Sequence, residues 1–228
     1  MKHTTRRGGT EFTADSSSIP ADPSEPLVIG EKPINRLEIG MPSEAVVSTG
    51  VEASDGTVVY QSTDGAVDIA AQVLDANRVR VQTIINTSAA AHEFTYEIGN
   101  GFAPVEAADG TFWVYKFKED GEIQIYRVGP AWARDAGGAP VETHYVIRGN
   151  SIVQEVSHSS KAVYPIVADP TSEWYNAAYG AGFSKKETRD LLNLGGIPGF
   201  CAFLWRFGLS ERPARSPARS GGFRRDLP

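Results

Sequence analysis

The chain contains very little cysteine, and this scarcity excludes several classes of protein. Cys201 is the single cysteine of the 228 residues, so we expect neither an intrachain disulfide framework nor a cysteine-rich metal site. The four histidines show neither the H-E-x-x-H pattern nor any short ligand spacing. No G-x-S-x-G motif marks a serine nucleophile, and no S-x-x-K is followed by S-D-N or K-T-G. We therefore expect no metal and no cofactor.

Long apolar runs are also missing. The longest, residues 191–207, is interrupted by Asn193, by glycines and by Pro198, and is shorter than the ~20 residues that a spanning helix needs. Residues 1–9 are basic, but no apolar segment follows them. The chain as written therefore predicts neither a transmembrane helix nor a signal peptide.

The net charge of −6 is unevenly distributed along the chain. Residues 206–228 contain six arginines and only two acidic residues, so the preceding part is more acidic than the total. Because the acidic part of the chain would be repelled by the phosphates of a nucleic acid, we expect no nucleic-acid partner. A weaker alternative is that the arginine-rich end binds nucleic acid or anionic lipid.

Composition divides the chain into four parts. Residues 1–30 are rich in Ser, Pro, Thr and acids without periodicity, which is typical of a disordered tail or linker. Residues 31–169 have the pattern of a β domain, and residues 170–205 that of a small apolar helical appendage. Residues 206–228 predict a basic disordered tail, and an alternative origin for them is a shifted reading frame.

The middle part has the two-residue period of half-buried strands. In residues 66–74, Val67, Ile69, Ala71 and Val73 point to one face while Asp68 and Gln72 point to the other, and residues 78–85 repeat the arrangement. Further short strands follow, separated by Gly-containing turns, and no convincing helix interrupts them. The pattern predicts a mainly β fold, an antiparallel sandwich or a barrel-like closure of it. Among the rings of residues 112–117, we expect Trp113, Tyr115 and Phe117 to form the core face.

One hairpin supplies the candidate site residues. Gly149-Asn150 fits a type II′ turn, which places His144 opposite Glu155 on a face that also carries Arg148. A histidine beside carboxylates could act as an acid/base pair, so His144 and Glu155 are the weak catalytic candidates. Cross-strand charge pairing on a solvated face explains them better. The same register puts His158 on the other face.

The segment at Asp169-Pro170 predicts a boundary between modules. Asp169 fits the N-cap of a helix whose first residue is Pro170 and which runs through residues 171–179. A capping box at Ser184-Lys185-Lys186-Glu187 opens a second helix, giving a short helical pair. A catalytic role for Asp169 is the weaker interpretation.

Two stretches carry a resemblance to a known group of proteins. His144 to His158 (HYVIRGNSIVQEVSH) and Tyr164 to Pro170 (YPIVADP) are its most specific parts, within a likeness that spans about residues 40–203. The chain resembles uncharacterised exported proteins of actinobacteria, in which a β domain ending in Y-P-x-V-A-D-P precedes a variable helical, often Gly-rich piece. The resemblance implies an extracellular location and no catalytic residue.

Two functions from different classes remain. The first is a non-enzymatic exported binding or carrier domain of unknown ligand, which escorts a membrane-active module and contacts a surface component, a protein or a membrane through residues 170–207. The second is a carbohydrate-active hydrolase that uses acidic residues of the sandwich, assisted by His144 and Glu155. The absence of any site signature favours the first.

Overall fold

The described part of the chain is built from short β-strands. The computed structural model describes residues 5–7, 11–14, 17–30, 36–75, 78–107, 110–119, 123–169 and 175–176. The first nine strands are β1 (Thr5–Arg7), β2 (Glu11–Ala14), β3 (Ser17–Pro20), β4 (Leu27–Ile29), β5 (Leu37–Ile39), β6 (Val51–Glu52), β7 (Val58–Tyr60), β8 (Val67–Asp75) and β9 (Arg78–Ile85). The others are β10 (Glu93–Glu97), β11 (Ala103–Glu106), β12 (Phe112–Phe117), β13 (Ile123–Val128), β14 (Trp132–Asp135), β15 (Thr143–Arg148), β16 (Ser151–Val156), β17 (Ile166–Asp169) and β18 (Tyr175–Asn176).

These strands form antiparallel sheets, as the sequence predicts. The N-terminal sheet has the order β1-β2-β3-β4-β5, and a six-stranded sheet has the order β14-β17-β9-β8-β7-β6. A three-stranded sheet, β10-β16-β15, and a four-stranded sheet, β11-β12-β13-β18, complete the arrangement. A bridge between Ile39 and Ile98 continues the N-terminal sheet toward the three-stranded one. No helix is found in the residues that the structure describes.

The β8–β9 hairpin shows why the alternating pattern specifies this fold. Val79, Val81, Thr83 and Ile85 are buried, while the residues between them are only partly covered. Strand β9 pairs with β8 on one side and with β17 on the other, so it lies inside the six-stranded sheet. Because successive side chains of a strand point to opposite faces, one face of β9 enters the core. The antiparallel pairing predicted for residues 66–74 and 78–85 is confirmed, with β8 spanning Val67–Asp75.

All four sheets contribute to one hydrophobic core. Its fully buried side chains include Leu27 and Leu37 of the N-terminal sheet, Ile69 of the six-stranded sheet, Phe94 of the three-stranded sheet and Val114 of the four-stranded sheet. These side chains come from distant parts of the sequence, so no single sheet could bury its apolar face alone.

The prediction of a disordered tail over residues 1–30 is wrong for the described part of that segment. Ile19 and Leu27 are fully buried, and Phe12 is nearly so. Tyr60 donates a hydrogen bond from its hydroxyl to the carbonyl of Pro20, which ties the segment to the six-stranded sheet. Each strand here contains at most three apolar residues, and such runs are too short to show a period within a Ser- and Pro-rich background. The β domain therefore begins before residue 31.

The predicted helix after Asp169 is not confirmed in the two residues of it that the structure describes. Tyr175–Asn176 is a strand, β18, which pairs with Tyr126 and Arg127 of β13. The pairing partners of a strand lie far away in sequence, so the helical signals of a nine-residue stretch can be overridden by tertiary contacts. The rest of the helical pair and the tail at residues 206–228 lie outside the described residues.

The four-stranded sheet corrects the expectation for the aromatic strand. Phe112 and Val114 of β12 enter the common core, whereas Tyr115 and Phe117 are only partly buried and pack edge-on with ring centroids 5.6 Å apart. Trp113 is buried on the opposite face, at 3% exposure. Both faces of this strand are covered at its start, so ring size alone does not identify the core face.

The predicted hairpin of β15 and β16 is confirmed in register. Arg148 lies opposite Ser151, and His144 lies opposite Glu155. Gly149 has φ of 61°, the left-handed value that the first central position of a type II′ turn requires. The hairpin thus positions the candidate site residues as the sequence predicts.

The burial of residues 17–30 generates a test. We expect Leu27→Ala to lower the free energy of unfolding by about 2–5 kcal/mol, because it opens a cavity at a fully buried position. The matched control is Val51→Ala, whose side chain is 68% exposed, and this substitution should change stability by less than about 0.5 kcal/mol. Urea denaturation followed by tryptophan fluorescence measures both. Equal stabilities for the two variants would mean that residues 17–30 are not part of the core.

Candidate functional site

The two weak catalytic candidates meet on the outer face of the three-stranded sheet. Nε2 of His144 lies 3.5 Å from Oε2 of Glu155, as their cross-strand register requires. Nη2 of Arg148 lies 2.7 Å from Oε1 of Glu155, and the same guanidinium binds both carboxylate oxygens of Glu93 on β10. One arginine therefore bridges two glutamates that come from neighbouring strands.

The electrostatics of this cluster favour charge pairing over acid catalysis. The hydrogen bonds from Arg148 lower the pKa of Glu93, and those with Glu93 raise the pKa of Arg148 in return. A glycosidase needs one carboxylic acid that holds its proton near neutral pH, which requires a raised pKa. The guanidinium has the opposite effect on Glu93. The cluster is thus best described as an ion-pair network on a solvated face.

A groove lies next to His144 and gives this region a concave surface. It has a volume of about 360 Å³ and separates β15 from the start of β12 and the end of β13. Its lining residues are Gly110, Thr111, Phe112, Arg127, Val128, Gly129, Pro130, Ala131, Thr143, His144 and Tyr145. Arg127 brings a positive charge and Phe112 an apolar wall, whereas the hydroxyl of Thr143 donates to the carbonyl of Glu155 at 2.7 Å and accepts from Nε2 of Gln154 at 3.1 Å. Sequence reasoning found His144 but not the groove, because its walls come from three separate segments.

A buried polar group adjoins this groove. Asp169, the last residue of β17, is fully buried, and its Oδ2 lies 3.7 Å from Nε of Arg80. The hydroxyl of Tyr145 donates a hydrogen bond of 3.3 Å to the backbone carbonyl of Asp169. Burial raises the pKa of Tyr145 well above its usual value, and the nearby Asp169 and Tyr96 add to the effect. The hydroxyl of Tyr145 therefore keeps its proton at neutral pH and can donate a hydrogen bond.

Tyr96 extends the buried polar group into the core. Its hydroxyl lies 2.6 Å from Oγ1 of Thr83 on β9. Burial raises the pKa of Tyr96, against the opposing effect of the Thr83 hydrogen bond. The sequence interpretation placed Asp169 at the entrance of a helix, and the structure instead places it at the end of a buried strand. In the sequence, the sign of this arrangement is that Asp169 ends the apolar run Ile166–Ala168.

Two histidine rings stack on each other, a contact that the sequence does not predict. The rings of His92 and His158 have centroids 4.0 Å apart and are tilted by 18°. Nε2 of His158 lies 3.0 Å from the carbonyl of Ala91, and its Nδ1 lies 2.9 Å from the hydroxyl of Tyr164. His158 does not converge with His144, as the register predicts. These contacts connect the residues that follow β16 with those that precede β10.

Other candidate sites carry no chemistry in the described residues. Nδ2 of Asn86, within the Asn-Thr-Ser tripeptide at residues 86–88, donates to Oδ2 of Asp68 at 3.0 Å. No group of three or more His, Cys, Asp or Glu side chains is arranged for a metal within the described ranges. The same residues contain no helix of the length and hydropathy needed to cross a bilayer. Cys201 lies outside them.

Comparison with known proteins gives no relative. No family model matches this chain, and no curated protein or solved structure matches it either.

The stacked histidines make stability depend on pH. Burial lowers the pKa of His158, the carbonyl of Ala91 opposes this effect, and the neighbouring His92 lowers the pKa further. In the unfolded chain the imidazole titrates near its model value of 6.5. Below that pH the unfolded state binds a proton that the folded state does not, so the free energy of unfolding falls as pH decreases.

We expect His158→Gln to reduce this pH dependence, measured as urea unfolding free energies at about pH 7.5 and about pH 5.5. The control is His144→Gln, because His144 is exposed and its removal leaves the stacked pair intact. A His158→Gln profile as steep as that of the unsubstituted chain would mean that other groups cause the acid destabilisation.

Proposed function

We propose that the chain is a non-enzymatic exported binding domain that carries the segment after Asp169 as a C-terminal module. The observation that supports this best is the groove beside β15, which offers a concave polar and apolar surface without an assembled catalytic pair. The four sheets and their common core fit a sandwich. Export rests on the resemblance to exported actinobacterial proteins.

The chemistry of the groove indicates the kind of ligand. The positive charge of Arg127 favours a carboxylate or another anionic group, and Phe112 offers a ring face. A volume of about 360 Å³ suits a disaccharide or a short peptide rather than a larger molecule. We therefore propose a small acidic component of a cell surface as the ligand. Residues 170–207 would supply a second contact, to a protein or a membrane.

Titration of the ¹⁵N-labelled chain with two probes, a uronic-acid disaccharide and a capped acidic tripeptide, tests this function. We expect at least one probe to shift the backbone resonances of Thr143 and His144, and Thr143→Trp to abolish the shifts by filling the groove. Val163→Trp is the control, since Val163 is 55% exposed and lies outside the groove lining. If neither probe shifts these resonances, the groove is not the binding site.

The competing function, a carbohydrate-active hydrolase, has one supporting observation: two glutamates lie near His144 beside a groove. Both are held by Arg148, whose hydrogen bonds lower the pKa of Glu93, whereas the acid of a glycosidase needs a raised pKa. We expect no release of reducing sugar from soluble polysaccharides. Activity that is lost in both Glu93→Gln and Glu155→Gln, but retained in Glu142→Gln, would establish the hydrolase instead.

A further inference from the structure

Asp169 combines a buried carboxylate with an unusual position in the sequence. Only 1% of its side chain is exposed, and carboxylates are rarely buried so completely unless the fold needs them. Nε of Arg80 lies 3.7 Å from Oδ2, which keeps a positive charge beside the carboxylate. The next residue in the sequence is Pro170. The bond that follows Asp169 is therefore a tertiary amide, in contrast to almost every other peptide bond of the chain.

An aspartate carboxylate is attached to the same residue as the carbonyl that follows it. Attack of a carboxylate oxygen on that carbonyl carbon closes a five-membered ring, and such intramolecular reactions gain a large rate advantage from proximity. The barrier is the departure of the amide nitrogen and the negative charge that develops on the carbonyl oxygen. A site that promotes the reaction must therefore donate a hydrogen bond to that oxygen.

The structure supplies this donor. The hydroxyl of Tyr145 lies 3.3 Å from the carbonyl oxygen of Asp169, in a buried environment where a hydrogen bond to developing charge is strongest. The ring of Tyr145 packs edge-on against Phe112 with centroids 5.3 Å apart, which fixes its direction. Its raised pKa keeps the proton on the phenol. Tyr145 is therefore suited to stabilise an oxyanion at Asp169.

We propose that Asp169 cleaves its own peptide bond to Pro170, in a single self-processing event that breaks the covalent link between the preceding β domain and the segment after residue 169. A carboxylate oxygen of Asp169 bonds to its own backbone carbonyl carbon, and the Tyr145 hydroxyl stabilises the resulting oxyanion. The bond between that carbon and the nitrogen of Pro170 then breaks, and the nitrogen takes a proton from solvent. One water hydrolyses the cyclic anhydride and restores Asp169 with a free α-carboxylate. This inference rests on the proposed carrier function, because it provides a way to separate the two parts.

The chain contains an internal control for this reaction. Asp22 is also followed by a proline, Pro23, so the same covalent arrangement occurs twice. The carbonyl of Asp22 also accepts a hydrogen bond, 3.1 Å from the backbone nitrogen of Glu25, and its Oδ1 accepts hydrogen bonds of 2.9 Å from the backbone nitrogen of Ser24 and 2.7 Å from the Ser24 hydroxyl. Asp22 is exposed, however, whereas Asp169 is fully buried. The bonds from Ser24 lower the pKa of Asp22, and water surrounds this site, so a hydrogen bond to charge that develops on its carbonyl oxygen is weaker than at the buried Asp169. Acid lability alone would affect the unfolded chain equally at both bonds.

Intact-mass spectrometry of the purified full chain, incubated at about pH 5 and about pH 7, tests the inference. We expect fragments 1–169 and 170–228 to accumulate, with no cleavage after Asp22. Tyr145→Phe, which keeps the ring, should slow the reaction about tenfold or more, and Pro170→Ala and Asp169→Ala should stop it. In urea, both Asp-Pro bonds should break at the same low rate.

Two results would overturn the inference. One is a rate after Asp169 no higher than the rate after Asp22, and the other is an unchanged rate in Tyr145→Phe. Circular dichroism checks that each variant is folded. Because Pro170→Ala leaves every residue of Ile166–Asp169 unchanged, the test does not depend on the folding of Asp169→Ala. A chain that binds a probe in the groove but stays intact would leave the proposed binding function standing and refute only the cleavage. Cleavage without probe binding would support the self-processing reaction and refute the proposed binding function.

Discussion

Strand β9 is the constraint on which the rest of the structure depends. It pairs with β8 on one side and β17 on the other, and its alternate residues, Val79, Val81, Thr83 and Ile85, enter the core. A one-residue slip of this strand would turn all four side chains to the other face. The same register fixes Arg80 on the opposite face, near Asp169, and Thr83 beside Tyr96. The fold and its buried polar group are therefore set by one pairing.

How much of this could be predicted depends on the length of each pattern. Residues 67–85 alternate over many positions, and the sequence predicts both strands and their pairing correctly. The hairpin of Thr143–Arg148 and Ser151–Val156 is equally predictable, because Gly149 fixes the turn and hence the pair of His144 and Glu155. Where the strands are short, the prediction fails. Ile19 and Leu27 are isolated apolar residues whose burial depends on partners that the local sequence does not reveal.

The contacts of the candidate site also fall into those that the sequence predicts and those that it does not. The His144–Glu155 contact follows from local register, so the sequence predicts it. The contact between Tyr145 and the carbonyl of Asp169 and the stack of His92 on His158 join residues from separate strands and loops. Periodicity describes one strand at a time, and it contains no information about which strands become neighbours across sheets. Long-range polar contacts of this kind require the three-dimensional structure.

The wide separation of pairing partners has a consequence for how the chain reaches its native state. Ile85 pairs with Ile166, and Phe94 pairs with Gln154, so these sheets close only after most of the sequence is present. Folding with so many distant contacts is intrinsically slow, because loop entropy is lost before the contacts form. A nascent chain of this topology stays open until β17 has been synthesised.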